Sequence, residues 1–232
     1  MRQRHLLVTL ATVAVLASAR PASAQTVVPV EQTPYHVPVF SNDYVTVLNV
    51  FVPPQRTSGY HRHSLDSLGV LIGDTDRTGQ VLGAEERPTP KRDPGAVSFT
   101  FYSKEPAVHT ITIKGDAPFH NIVIELVGPK AYGFKPGSRD GVTGYTQVLD
   151  NERVRVWRLA LAPGAEAPAI TQAAPGIRIV VAGGEIVERI AGRPDRGIAP
   201  HAGEFFWQDA GVTRAVRNAG TTRIELVEAE LK

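Results

Sequence analysis

Residues 42–72 lie over residues 151–181 without a gap, at a constant shift of 109, and residues 108–126 lie over residues 213–231 at a shift of 105. Asn42-Asp43 meets Asn151-Glu152, Val45 and Val47 meet Val154 and Val156, and Pro54 meets Pro163. The trio Val70-Leu71-Ile72 falls on Ile179-Val180-Val181, Gly115 on Gly220, and Glu125-Leu126 on Glu230-Leu231. Identities are few, but the order of the pattern is kept. A chain that repeats its pattern in order is built from two copies of one unit.

Each copy reads as short β-branched runs broken by Gly and Pro. The first offers 44–52, 68–72, 96–101, 109–113 and 120–126, and the second 153–161, 177–181, 204–207, 214–217 and 223–230. No stretch of useful length has a helical period, so the fold class is all-β, a sandwich or barrel in each half. Segments 73–93 and 183–202, rich in Gly, Pro and charge, read as loops at matching places. The charged residues from Arg77 to Arg92 read as a solvated loop. The expected domains are 25–128 and 147–232, joined by a connection over 129–146 that carries Pro129, Pro136 and several Gly.

The first 24 residues stand apart from the repeat. Arg2 and Arg4 precede an apolar run from Leu6 to Ala17, and Ala22-Ser23-Ala24 ends it with small residues, the pattern of a secretory signal peptide cleaved after Ala24. The run is well short of the ~20 residues that cross a bilayer, so the expectation is a periplasmic or secreted protein with no membrane anchor. Removing the leader takes Arg2, Arg4 and Arg20 away, and the formal charge of +2 becomes −1. A near-neutral chain with no basic run gives no reason to bind nucleic acid. With no Cys, the exported chain has neither disulfides nor a site for N-terminal lipidation.

Among the 7 His, three share a chemistry. Residues two apart in a strand point to one face, so His61 and His63 of Gly59-Tyr60-His61-Arg62-His63 can hold one metal ion. His109 opens a later strand of the same half and lies opposite them if the sheets close. With these residues and the repeat, the chain resembles the cupin superfamily, small jelly-roll barrels with a His-x-His motif followed by Glu and a second motif with a later His, often duplicated as bicupins. The resemblance covers almost all of the chain after the leader and implies two tandem cupin-type jelly-roll β-barrels.

It also implies that His61, His63 and His109 hold one divalent transition metal ion: Fe, Mn, Ni or Zn. The family's Glu stands four or five residues after the second His, where this chain has Ser67 and Leu68; the nearest carboxylate is Asp66. With Asp66 as fourth ligand the site is a three-His, one-carboxylate cage. Without it, three neutral donors leave the ion its full charge and several open positions, which favours an anionic substrate. In the second half the same shifts replace His61, His63 and His109 by Ile170, Gln172 and Arg214, a set unable to hold a first-row cation. Gly211 and Asn218 keep the second motif's spacing there, and Arg214 reads as a structural charge or an anion contact.

His36, His120 and His201 match no motif and read as surface or packing residues, although His36 lies in an N-terminal strand candidate that could cover a barrel mouth. Trp157 and Trp207 read as core or inter-barrel packing. The chain has no Gly-x-Ser-x-Gly, no phosphate loop and no His-Glu-x-x-His. The expected function is therefore a metal-dependent enzyme, oxygenase-like or isomerase/lyase-like, acting on a small acidic or hydroxylated compound. A non-catalytic binding or sensing cupin, with a structural metal or none, is the alternative. Pairing with a second copy as a homodimer is left open.

Overall fold

The computed structural model describes residues 25–232; the expected leader, residues 1–24, lies outside the described residues. The first half forms two five-stranded sheets. One runs in the order Val28–Pro29, His61–His63, Ala107–Ile113, Arg77–Val81, Arg87–Pro88. The other runs His36–Ser41, Val45–Val52, Phe119–Leu126, Ser67–Gly73, Val97–Thr100.

The second half repeats both orders. Its five-stranded sheet runs Tyr145–Asp150, Val154–Leu161, Ile224–Leu231, Gly176–Ala182, Phe205–Gln208. Its four-stranded sheet runs Glu166–Thr171, Thr213–Asn218, Ile186–Ile190, Arg196–Ile198. Val45–Val52 and Val154–Leu161 correspond residue for residue at the shift of 109, and Phe119–Leu126 and Ile224–Leu231 at the shift of 105. These are two jelly-roll units, with no strand among residues 127–144.

Strands of the sheets that hold Val45–Val52 and Val154–Leu161 are apolar on both faces because both faces are covered. Alternate side chains of a strand point opposite ways. One set, with Val45, Val47, Leu68, Val70, Ile122 and Ile124, packs on Val154, Val156, Ile177, Ile179, Val227 and Ala229 of the other half in one shared core. The opposite set faces its own unit: Leu48, Val50, Leu71 and Val123 in the first, Leu159, Leu161, Val180 and Leu226 in the second. The halves are therefore joined by the same hydrophobic burial that holds each together. Trp207 lies against this shared core and stacks on Tyr44 from the first half.

The expected loop at 73–93 is corrected. It contains the strands Arg77–Val81 and Arg87–Pro88, which extend the sheet of His61–His63 through Ala107–Ile113. Arg77 is buried, paired with Asp74, and stacked 4.7 Å over the Phe119 ring rather than solvated. The matching loop at 183–202 holds Ile186–Ile190 and Arg196–Ile198. No helix of the described residues is long and apolar enough to cross a membrane.

Candidate metal centre

His61 and His63 are both buried, on the one face that their spacing of two requires. Antiparallel pairing sets His61 opposite His109, and the ring centroids lie 4.7 Å apart; His63 and His109 are 5.1 Å apart. A fourth imidazole joins them from the facing sheet. His36 lies 4.4 Å from His61, centroid to centroid, and one nitrogen each from His36, His61 and His63 fall within 4.8 Å of one another. The structure thus gathers His36, His61, His63 and His109.

The ring nitrogens are sorted by hydrogen bonds. His61 Nδ1–H donates to the Gly59 carbonyl at 2.9 Å, which leaves Nε2 as a lone-pair donor, buried and without a partner. Thr33 Oγ1 gives its own proton to the Val30 carbonyl and so accepts from His36 Nδ1–H at 2.7 Å. Thr33 is held by a turn over Val30–Gln32, and the strand Val28–Pro29 before it pairs in parallel with His61–His63. Holding the outer nitrogen and freeing the inner one is how a protein aims imidazoles at a metal.

Burial first, and then the neighbouring imidazoles, lower His36 to about 2 and His109 to about 3. Burial takes His61 to about 4 against the opposing pull of the Gly59 carbonyl, with His63 adding to the fall. All three are neutral near pH 7, the state in which imidazole binds metal. An orphaned, buried His61 Nε2 among imidazole nitrogens at this spacing fits a transition metal ion.

Asp66 is not brought to the histidines. One carboxylate oxygen accepts from the Ser103 backbone N–H at 3.0 Å and from its hydroxyl at 2.6 Å, and the other pairs with Arg153 of the second half. The expectation of Asp66 as fourth ligand is corrected, because a buried cation needs this carboxylate more than a neutral cluster does. His120 bonds Asn49 and His201 is exposed, both apart from the cluster.

The imidazoles form one end of a cavity of about 280 Å³. Its other walls include Ser98, Thr100, Tyr102, Asn121, Arg77 and Gly69. A Cβ at Gly69 would meet Ser98 Oγ at 2.9 Å and the Asn121 amide at 3.1 Å, so the small residue keeps the space open. Tyr102 stacks on His63, 4.7 Å between centroids and 17° from parallel. Little along the chain pointed to these residues, or to His36, because they come from strands and turns far from the His-x-His pair.

In the second half Ile170 stands opposite Arg214 in the register of His61 and His109. Gln172 accepts from Arg139, and Arg139 and Arg178 share Glu228. Burial alone would raise Glu228, but the two guanidinium groups bring it down to about 2. These charged side chains occupy the inner face that the first half leaves open.

No family model and no curated protein sequence matches the chain. Solved structures match it over most of its length. A variant of salicylate 1,2-dioxygenase from Pseudoaminobacter salicylatoxidans, in complex with gentisate, superposes with a TM-score of 0.58 at 12% identity, covering 87% of this chain and 76% of that one. AerE from Microcystis aeruginosa gives 0.55 at 11%, covering 86% and 98%. A cupin 2 conserved barrel domain protein from Leptotrichia buccalis gives 0.51 at 10%, covering 84% and 88%. At these identities the likeness is one of fold.

Proposed function

We propose that this protein, which has the two-domain cupin fold, is an exported metal-dependent enzyme whose first half acts on a small acidic or hydroxylated compound. One observation carries the reading: ring nitrogens of buried His36, His61 and His63 come within 4.8 Å of one another at the end of a cavity, and His61 Nε2 is buried there without a partner. His36, His61, His63 and His109 would hold the ion. When bound, a divalent transition metal would supply Lewis-acid or redox chemistry at its open positions.

The remaining walls orient a substrate. Arg77, paired with Asp74 and stacked over the Phe119 ring, lines the cavity and has further N–H groups that a carboxylate could meet. Asn121, Ser98 and Thr100 offer hydrogen bonds for hydroxyl groups. A volume of about 280 Å³ suits a compound near the small end of ordinary ligand sites. Gentisate, bound to a protein of this fold, makes hydroxylated aromatic acids the first class to assay.

The test is to express the chain with its leader, sequence the mature N-terminus, and measure bound metals by mass spectrometry in wild type and His61→Ala. Cleavage before Gln25, near-stoichiometric metal in wild type and less than about a tenth of that in the variant are expected for a multi-His site. Well-folded wild type without transition metal overturns the reading. Full metal without turnover or oxygen uptake on small aromatic and aliphatic acids turns it to a non-catalytic binding protein.

A further inference from the structure

Glu125 lies on Phe119–Leu126, on the same inner face as Asn121 and Val123, which line the cavity. It is buried, and its Oε1 has no hydrogen-bond partner. His63 Nδ1 is likewise buried and without a partner, and the two atoms are 3.6 Å apart. Two orphans left apart would each bear the cost of desolvation. A closure of about 0.7–0.9 Å would make them an ordinary charge-assisted hydrogen bond.

We propose that Glu125 is a positioning residue of the metal centre: its carboxylate accepts from His63 Nδ1–H and so fixes Nε2 as the ligating nitrogen. The role rests on the metal-site reading above. It completes a pattern, since Gly59 and Thr33 hold Nδ1 of His61 and His36 in the same way. Of carboxylate, carbonyl and hydroxyl only the carboxylate carries a charge, so His63 has the anionic partner of the three. Tyr102 closes the other side of the ring by stacking.

The second half supports the assignment independently. Glu230 occupies the matching place on Ile224–Leu231, where its Oε1 accepts from Arg139 at 2.6 Å. Both halves keep a buried carboxylate here. In the second half it pairs with a cation, and in the first the nearby partner is an imidazole that becomes cationic in character when it ligates metal. The family-type Glu after the His-x-His motif is absent from this chain, so Glu125 supplies the anionic charge from behind a ligand rather than on the ion.

Long-range proton–nitrogen correlation spectra of the ¹⁵N-labelled, metal-free protein test the first part without any substitution: His63 should be the Nδ1–H tautomer. Zn(II) affinity, measured by chelator competition, tests the second. Glu125→Ala should weaken Zn(II) binding about 10- to 100-fold, with His63 losing its single tautomer, while circular dichroism shows the fold retained. Glu125→Gln, whose amide oxygen still accepts from Nδ1–H, should recover most of the affinity.

An Nε2–H tautomer in the wild type overturns the proposal. So does Glu125→Ala binding Zn(II) within about threefold of wild type. Equal loss in Glu125→Gln and Glu125→Ala also overturns it, by making the carboxylate a direct ligand. If wild type binds no metal, the metal-site reading fails on its own, and the tautomer still decides whether Glu125 holds His63.

Discussion

The two halves share a strand order and differ in what their inner faces carry. Where the first has Gly69, Gly79, His109 and Val123, the second has Arg178, Glu188, Arg214 and Glu228. The first encloses a cavity with neutral nitrogens at its end. The second is closed by Arg178 on Glu188 and Glu228 and by Arg139 on Glu228 and Glu230. One backbone thus serves as a site or as a filled core, and a handful of inward positions decide which. Buried guanidinium groups exclude a metal ion twice over, by volume and by charge.

The largest expected effect comes from giving the first half the second's filling. Gly69→Arg together with Val123→Glu should reduce bound transition metal more than about tenfold, measured by mass spectrometry on folded protein. Wild-type metal content in that variant would break the comparison.

Removing the shared carboxylate from the filled half should cost stability instead. Glu228→Ala takes one of two carboxylate partners from each of Arg139 and Arg178, both almost wholly buried, while Glu230 and Glu188 remain, and should destabilise the protein by about 3 kcal/mol in urea unfolding. His61→Ala, which opens a cavity wall without stranding a charge, should cost about 1–2 kcal/mol.

Asp66→Asn sharpens the division between site and junction. It should leave metal content unchanged and destabilise by roughly 1–3 kcal/mol, since Arg153 loses its buried counterion. Loss of metal with stability intact would return Asp66 to the ligand set.

The smallest effect is one of pH on metal-free protein. Folded His36, His61 and His109 lie below the ordinary 6.5, so the unfolded chain binds more protons as pH falls. The first half's contribution is complete above about pH 6.5 and is lost progressively as pH falls from there through about 4 for His61, about 3 for His109 and about 2 for His36. Glu228 is held down from 4.5 to about 2, so its contribution is complete above 4.5 and lost as pH falls through about 2. Relative to the intrinsic rate at each pH, hydrogen exchange at pH 5 should therefore quicken in strands 61–63 and 107–113 and not in 176–182 and 224–231. Equal acceleration of both sets would contradict the separation.

Most strands were legible because pairs such as Val45 and Val47, or Ile177 and Ile179, pack on the other half while their alternates face inward. The Arg77–Val81 strand was not. Arg-Thr-Gly-Gln-Val carries little apolar signal, and its pairing with Ala107–Ile113 makes it a strand. His61, His63 and His109 were legible as a pattern. His36 was not, because its place beside them depends on two sheets facing each other.

Asp66 shows the opposite error. Three residues from His63, it looked like a neighbour of the site, yet its partner Arg153 is 87 residues away in the other half. Glu125 left only a faint trace, as the repeated pair of Glu125-Leu126 and Glu230-Leu231.

What the sequence determined by itself was the duplication, the all-β class and the His-x-His pair, since each depends on spacing along one chain and strand periodicity converts spacing into facing. What only the tertiary structure decided was which charges meet. Arg153 takes Asp66, Arg139 takes Glu228 and Glu230, and Glu125 is left facing His63. Such pairings join segments distant in sequence, and in a buried interior a carboxylate's role is set by the nearest cation or proton donor rather than by its neighbours along the chain.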